Sequence, residues 1–445
     1  MLDLFEVPPT DLSLTASRFV PINPFTTGVH PIDFQIDPQE DFTDLSNSYF
    51  ELDLRLKLDN NIDILPATQV SLCNNIAHAI FKQINMRLNG TLISLQTDTY
   101  HLKSFIDTVL NNDRDDGETI LKPEGWFNGL AIRDQSEHAL TVNQLNVGHE
   151  DNVALPTDEQ AWVQSRAKFL DGNRVILRFK PYLEVFNLSK LLVPGVQIQI
   201  QMYLNSHEIW SQTHGGATHI RDITADDLKV TLFLCQKKVE TSVYRSLMTQ
   251  LTGSKKVTYP VVRSEIRTYN HANDSQVFEA HNIFHNQLPN RVVVALLNQT
   301  AFNGSVTRYP FSYKAFNIAS IKQLVRGEEY PYRALELNHD NSSKDLRGFH
   351  RFLEATECLT KRKGNMVRAE DWGRGKNCTL FVFDNTANGL SSSHVLNPVQ
   401  TGETGIVIRF GQNPGVNLTV LIYGEFENLL EINSNKTVIY DVYRQ

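Results

Sequence analysis

Three short segments contain residue types that bind phosphate or attack a carbonyl, but each departs from the spacing that such chemistry needs. Residues 373–378 (GRGKNC) lack the third glycine of a dinucleotide-binding loop, and 251–256 (LTGSKK) lack the glycine spacing of a phosphate-binding loop. Residues 389–393 (GLSSS) lack the final glycine of a nucleophile elbow. We therefore predict no nucleotide cofactor and no nucleophilic catalysis at these places.

Two groups of residues that could bind a metal also lack the ligands that a metal site needs. The acidic run 111–118 (NNDRDDGE) resembles a calcium loop. If its glycine is the sixth position, however, the third is Arg114 and the twelfth, where a carboxylate is required, is Pro123. His281 and His285 can share a strand face, but no third ligand or general base accompanies them. We interpret the acidic run as a solvated helix exit and predict no metal, no cofactor and no enzymatic activity.

The strongest charge feature is the segment 361–376 (KRKGNMVRAEDWGRGK), which has six cations against two carboxylates. The cations are Lys361, Arg362, Lys363, Arg368, Arg374 and Lys376. Lys and Arg bind nucleic-acid phosphates without reading bases, because their binding releases condensed counterions. Three interpretations stay open: an exposed loop, a sequence-independent nucleic-acid contact and a nuclear-import signal.

Length and composition indicate a multidomain globular protein. The 445 residues exceed the roughly 250–300 at which one hydrophobic core stops growing, so two or three domains are expected. A net charge of −8 argues against a surface that binds nucleic acid throughout. No uncharged apolar run approaches the ~20 residues of a membrane helix, and the acidic start is unlike a secretory signal. The scattered cysteines predict reduced thiols in a cytosolic or nuclear setting; they are Cys73, Cys235, Cys358 and Cys378.

Two pairs of similar segments indicate an internal duplication. Residues 194–203 (PGVQIQIQMY) are similar to 414–423 (PGVNLTVLIY) at an offset of 220, and 175–179 (VILRF) are similar to 406–410 (IVIRF) at an offset of 231. Their alternating apolar residues predict strands with one buried face, and Pro-Gly predicts a preceding turn. The alternative is that unrelated strands look alike because few residue types favour strands.

The remaining elements are mostly strands. Alternation predicts strands at 48–58, 229–234, 256–266, 275–284 and 379–383. Residues 84–95 predict a hairpin with Leu88 facing Thr91 across an Asn89-Gly90 turn. Apolar residues at helical spacing predict three helices, at 102–110, 243–251 and 346–353. These patterns predict an all-β protein of two tandem sandwiches or jelly rolls with a few short helices in the connecting loops. We predict an N-terminal arm at 1–20, a first jelly roll at 21–225 and a second at 226–445.

Five segments, in order, resemble the double jelly-roll major capsid proteins of the Maverick/Polinton and adintovirus-like family. The segments are 3–24, 84–111, 191–205, 329–338 and 421–442. They span both halves and cover about a quarter of the chain. Residues 112–160 and 341–400 show no such resemblance, so no family role extends to the basic run.

The resemblance implies a structural protein of the virion capsid, assembled in the host nucleus or cytoplasm. In this family three two-lobed subunits form a capsomer with a hexagonal outline, and capsomers tile an icosahedral shell around a DNA genome. The implied partners are two further copies of the chain, neighbouring trimers, and penton or minor capsid proteins. Non-specific contact with packaged DNA is a further expectation, and the N-terminal arm is a candidate for tying neighbours together.

An alternative from another class is a tandem β-sandwich protein that binds carbohydrate or another ligand. Trp126, Trp162 and Trp210 are the candidate sugar-stacking residues. Tryptophan more often anchors a core or an interface, because its ring buries a large apolar area. A stable trimer would favour the capsid hypothesis, whereas glycan binding by a monomer would favour this alternative.

Overall fold

A computed structural model describes residues 12–26, 28, 30–64, 70–94, 98–127, 174–213, 219–253, 255–285, 287–337, 346–391 and 396–440. The strands are β1 (Leu14–Ile22), β2 (Ile32–Ile36), β3 (Phe42–Arg55), β4 (Val70–Leu72), β5 (Phe81–Leu88), β6 (Thr91–Leu92), β7 (Arg174–Phe179), β8 (Ile198–Leu204), β9 (Ser211–Thr213), β10 (Leu228–Val239), β11 (Val257–His271), β12 (Val277–Ala280), β13 (Arg291–Asn298), β14 (Ile318–Val325), β15 (Glu328–Glu329), β16 (Leu335–Glu336), β17 (Phe381–Asp384), β18 (Thr404–Phe410), β19 (Leu418–Ile432) and β20 (Val438–Tyr440). The helices are α1 (Ile76–Ala79), α2 (Tyr100–Asn111), α3 (Arg114–Glu118), α4 (His207–Trp210), α5 (Thr241–Thr252), α6 (Gln299–Asn303), α7 (Arg347–Ala355) and α8 (Cys358–Lys361), with 3-10 turns at Lys122–Glu124 and Glu184–Asn187.

The strands form two sandwiches with the same topology. In the first, one sheet has the order β1-β10-β3-β7 and the other β2-β8-β5-β6; in the second, the orders are β11-β19-β13-β17 and β12-β18-β14-β15. Counting these eight strands of each half in chain order, both sandwiches read 1-8-3-6 in one sheet and 2-7-4-5 in the other. Eight antiparallel strands in this order form a jelly roll, so the predicted double jelly roll is confirmed.

The similar segments that suggested the duplication do not occupy equivalent strands. The segment 194–203 forms β8, the seventh strand of the first sandwich, whereas 414–423 enters β19, the eighth strand of the second. Likewise 175–179 lies in β7, the sixth strand, and 406–410 in β18, the seventh. The two sandwiches therefore share one topology, but each similar segment pairs a strand of the first sandwich with the next strand, in chain order, of the second. The likeness misled because alternation and a Pro-Gly turn recur in many strands.

The two sandwiches meet later in the chain than residue 225. Strand β10 pairs with both β1 and β3, so residues 228–239 belong to the first sandwich. The connection to the second sandwich is therefore α5, which precedes β11. The predicted arm also differs: residues 14–20 are part of β1, and residues 1–11 lie outside the described part of the chain.

Local predictions agree well with the structure. Leu88 pairs with Thr91 across a turn in which Asn89 and Gly90 both have positive φ, as a type I′ turn requires. The predicted helices are confirmed as α2, α5 and α7. Strand β8 alternates between buried and half-buried residues, whereas the first eleven residues of β19 are all buried, so both faces of β19 are covered over that stretch.

We expect Gly424→Ala to destabilise the second sandwich. Gly424 lies in β19, and an alanine Cβ there would be 2.6 Å from Cζ of the Phe284 ring, which is buried. Such overpacking lowers the free energy of unfolding by about 1–3 kcal/mol, measurable by urea denaturation. Gly364→Ala is the control, because no atom lies within 4 Å of its added Cβ. Equal unfolding midpoints for both variants would contradict this account of the packing.

Candidate functional site

Helix α2 lies at the junction of the two sandwiches and is buried all round. Each residue from Tyr100 to Leu110 is buried, including polar ones. Phe105 stacks on Phe311 of the second half, with ring centroids 4.3 Å apart and planes at 6°. Burial lowers the pKa of His101 to about 3, so this ring is neutral.

An ionic network joins α2 to the second sandwich. The Tyr423 hydroxyl donates to Asp107 Oδ1 at 2.7 Å, and Lys103 lies 3.5 Å from Asp107 Oδ2. On the neighbouring strands, Arg291 donates to Glu425 Oε1 at 2.6 Å. All five side chains are buried. Removing one member would leave a partner uncompensated in a low-dielectric interior, so the network holds the two sandwiches in one arrangement.

A polar cavity of about 540 Å³ lies beside this network, between the two sandwiches. Its walls include Glu124 and Glu184 from the first half and Ser264 from the second. Burial raises the pKa of Glu184, although Lys103 and the backbone amides of Glu184 and Ser264 favour its charged form. Burial also raises the pKa of Asp107. Among the described residues, no cluster of three or more His, Cys, Asp or Glu is arranged to hold a metal.

Further contacts extend the junction along the length of the sandwiches. The Asn74 amide donates to the Tyr309 hydroxyl at 3.1 Å, and the Val193 amide donates to the Tyr259 hydroxyl at 3.1 Å. At another point Arg114 pairs with Asp371 at 2.6 Å. These contacts join residues far apart in sequence and hold the two sandwiches together in one two-lobed unit.

Strand β1 receives little cover in this unit. Seven of its nine residues are exposed and two are half-buried. The strand pairs with β10 on one side, and no described strand pairs with its other edge. An exposed edge strand presents unpaired N–H and C=O groups, which is typical of a surface that another chain covers.

An aromatic stripe crosses the outer face of the same sheet. The Tyr49 ring stacks on Phe233 at 5.1 Å and lies 5.7 Å from Phe19, which is 50% exposed. The Arg178 guanidinium lies 5.4 Å from the Tyr49 ring centroid and donates to Glu51 at 2.8 Å. Exposed aromatic and arginine side chains are enriched in protein–protein interfaces. We call Phe19, Tyr49 and Phe233 the aromatic stripe.

The basic run surrounds the buried Trp372, and its six cations are exposed. Ion pairs among them join Lys361 to Glu357 at 2.8 Å, Lys363 to Asp113 at 3.3 Å, and Arg368 to Glu370 at 3.4 Å. Glu357 and Asp113 both lie outside the run, and Asp113 is the N-cap of α3. These pairs lower the positive field of the run, and its contact with nucleic acid stays a prediction.

The other candidate residues are dispersed. The acidic run contains the last residue of α2 and the whole of α3, with Asp113 and Asp116 in a reciprocal capping box. The His281 side chain is 63% exposed and has Glu279 as its acidic neighbour, at 3.9 Å. Trp126 and Trp210 are buried, so neither presents a ring face to a sugar, and Trp162 lies outside the described residues.

Three solved viral structures share this fold. A chain of the Sputnik virophage cryo-EM structure has a TM-score of 0.62 and 10% identity, covering 99% of this chain and 91% of that one. The mavirus major capsid protein has a TM-score of 0.59 and 11% identity, covering 99% and 93%. A PBCV-1 virus capsid chain has a TM-score of 0.57 and 9% identity, covering 98% of both. Similarity at identities this low shows a common fold alone, which here is the double jelly roll.

Sequence comparison gives one further similarity. An uncharacterized protein of Caenorhabditis elegans is 20% identical in an alignment of 389 residues that covers 84% of this chain and 84% of that protein. No protein-family model matches the sequence. In the part of the chain that the structure describes, no helix has the length and apolarity to cross a membrane.

Sequence reasoning missed both the aromatic stripe and the ionic network. Signals for each are nevertheless present. Tyr49 lies on the face of β3 that also carries Glu51 and Asp53, where an aromatic residue is unusual. Lys103 and Asp107 interrupt the apolar pattern of α2 at a spacing of four residues, at which side chains meet on a helix.

We expect Glu184→Gln to stabilise the protein at pH 8 by about 1 kcal/mol, because an ionised buried carboxylate costs more than a neutral amide. The pKa of Glu184 is raised from 4.5 in the folded state, so the wild-type chain loses stability as the pH rises through that raised value. The advantage of the variant should therefore shrink as the pH falls toward 4.5. Urea denaturation at several pH values measures both effects.

Glu370→Gln is the matched control, because the Glu370 side chain is 65% exposed and pairs with Arg368 at the surface. It should change the free energy of unfolding little at any pH. A Glu184→Gln effect that is the same at pH 5 and pH 8 would show that the carboxylate at 184 is not protonated in this range.

Proposed function

We propose that this chain is a major capsid protein that trimerises into pseudo-hexagonal capsomers, which assemble into an icosahedral shell around a DNA genome. The observation that carries the proposal is the pair of sandwiches with identical strand order held as one rigid unit. Three such units around a threefold axis present six similar lobes, so the ring can tile a surface as a hexagon does. The capsid proteins that share the fold support this role, which is structural and not enzymatic.

We further propose that the chain belongs to the Maverick/Polinton and adintovirus-like lineage. The support is the resemblance of five ordered segments across both halves. The proposed location is the virion, after assembly in the host nucleus or cytoplasm. The proposed partners beyond the trimer are neighbouring capsomers and penton or minor capsid proteins.

The surface proposed for self-association is the outer face of the sheet β1-β10-β3-β7, and its occupant is a second copy of this chain. The aromatic stripe supplies an apolar centre, and the surrounding pairs Arg178–Glu51 and Arg174–Asp53 carry both signs of charge. Such a centre with a polar rim is the usual anatomy of a specific interface. A second copy would also cover the exposed strand β1.

The full-length protein is expected to be a trimer, and Phe19→Asp is expected to dissociate it. Three chains of 50.6 kDa give a mass of about 152 kDa, which light scattering measures. The variant places a charge in the aromatic stripe, and the loss of a central interface anchor costs about 2 kcal/mol or more. Because Phe19 is half exposed, the monomer should remain folded. Electron microscopy should then show particles for the wild-type chain and none for the variant.

Leu359→Asp is the control, since Leu359 is 45% exposed on α8, away from the stripe. It should leave the trimer intact. A Phe19→Asp variant that stays trimeric would exclude this face as the interface. A wild-type chain that is monomeric at all concentrations and forms no particles would overturn the capsid proposal itself.

A non-specific contact of the basic run with packaged DNA is also proposed. We expect the double variant Arg362→Gln, Lys376→Gln to bind duplex DNA more weakly and to lower the slope of log affinity against log salt by about 2, near 0.9 per lost phosphate contact. The control is Lys82→Gln with Lys238→Gln, which removes two cations far from the basic run in sequence, on the first sandwich. Equal salt slopes for the two double variants would contradict the proposed contact.

A further inference from the structure

Helix α5, which connects the two sandwiches, has an apolar face that the rest of the described chain leaves partly open. Of its twelve residues, Leu251 alone is buried. Val243, Leu247 and Met248 share its side of the helix, and Leu247 is 41% exposed. An amphipathic helix normally buries its apolar stripe, so this face needs a partner.

A groove of about 380 Å³ runs along this face. Its floor includes Leu191 and Val193 from the first sandwich and Val257 from the second, and its lining is mostly apolar. Three lysines also line it, Lys190, Lys255 and Lys256, and Lys256 pairs with Glu431 at 2.8 Å. The groove therefore suits an apolar peptide with negative charges.

The N-terminal end of β1 enters this groove. Ser13 and Leu14 are among its lining residues, and the described chain begins at Leu12. Residues 1–11 (MLDLFEVPPTD) therefore precede, in the chain, residues that line the groove. We propose that these residues fill the groove of their own chain, as a segment that packs on α5.

The composition of the segment matches the groove. The segment has four larger apolar side chains, those of Leu2, Leu4, Phe5 and Val7. It also has three acidic residues, Asp3, Glu6 and Asp11, and contains no Lys or Arg. These acids complement the charges of Lys190 and Lys255 in the groove. Pro8 and Pro9 restrict φ, which lowers the entropy lost when the segment binds in an extended form.

The length of the segment is also sufficient. Eleven extended residues reach about 36 Å, and the twelve residues of α5 span about 18 Å. Because the segment is tethered at the groove, its effective concentration there is in the millimolar range, which favours it over a foreign peptide. The proposal does not depend on the capsid function, because it concerns one chain.

Amide hydrogen exchange of α5 in the full chain tests the proposal. The variant Leu4→Asp, Phe5→Asp keeps the chain length, and deletion of residues 1–10 removes the segment. Both should make the α5 amides exchange about tenfold faster or more, because the cover of the helix is lost. Unchanged exchange in both variants would overturn the proposal.

The groove itself supplies the second arm of the test. Leu247→Asp should speed α5 exchange to a similar extent, and combining it with the deletion should add little, because both remove the same contact. Leu359→Asp on α8 is the control and should leave α5 exchange unchanged. Additive effects of Leu247→Asp and the deletion would show that another occupant covers this face, and would overturn the proposal.

A mixing experiment distinguishes the chain's own segment from that of another copy. Isotope-labelled truncated chain is mixed with unlabelled full-length chain, and exchange is followed in the labelled α5. Exchange that stays fast supports packing within one chain. Restored protection would show that the segment comes from a neighbouring copy, which would overturn the intramolecular form.

Discussion

The architecture depends on burying helix α2, with its charges, between two β-sandwiches. Lys103 and Asp107 would each carry a large desolvation cost there without partners. Asp107 obtains one of its partners, Tyr423, from the second sandwich, while Phe105 stacks on Phe311. The same helix therefore satisfies its polar groups and its apolar groups only when both halves are present. This requirement joins two independently closed sandwiches into one rigid body.

The two-lobed arrangement has consequences for the assembly that we propose. The junction buries α2 and one side of each sandwich. The outer face of the sheet β1-β10-β3-β7 remains exposed to solvent. That sheet carries the aromatic stripe and the strand with the least burial in the first sandwich, β1. A unit whose inner side is fixed by buried charge pairs and whose outer side displays aromatic side chains is suited to repeated association through that outer side.

Much of the fold was predictable because its signals are local. The Asn89-Gly90 turn, the alternation of β8 and the apolar spacing of α2 each depend on neighbouring residues, and each was confirmed. The equivalence of strands was not predictable in this way. Residues 194–203 and 414–423 look alike, yet their strands hold different places in the two sheets, since strand sequence reports which face is buried and not which neighbour pairs with it. The later boundary, after β10, was missed for the same reason.

By itself, the sequence determined the class of the protein: two β-sandwiches, a few helices, and no cluster of groups with catalytic spacing. Periodicity and turn chemistry suffice for that, because they act over a few residues. Only the tertiary structure decided which distant residues meet. The pairing of Tyr423 with Asp107 spans 316 residues, and Phe19 meets Tyr49 and Phe233 through the register of three strands. Such contacts depend on how strands are ordered in a sheet and how sheets face one another, and no local pattern carries that information.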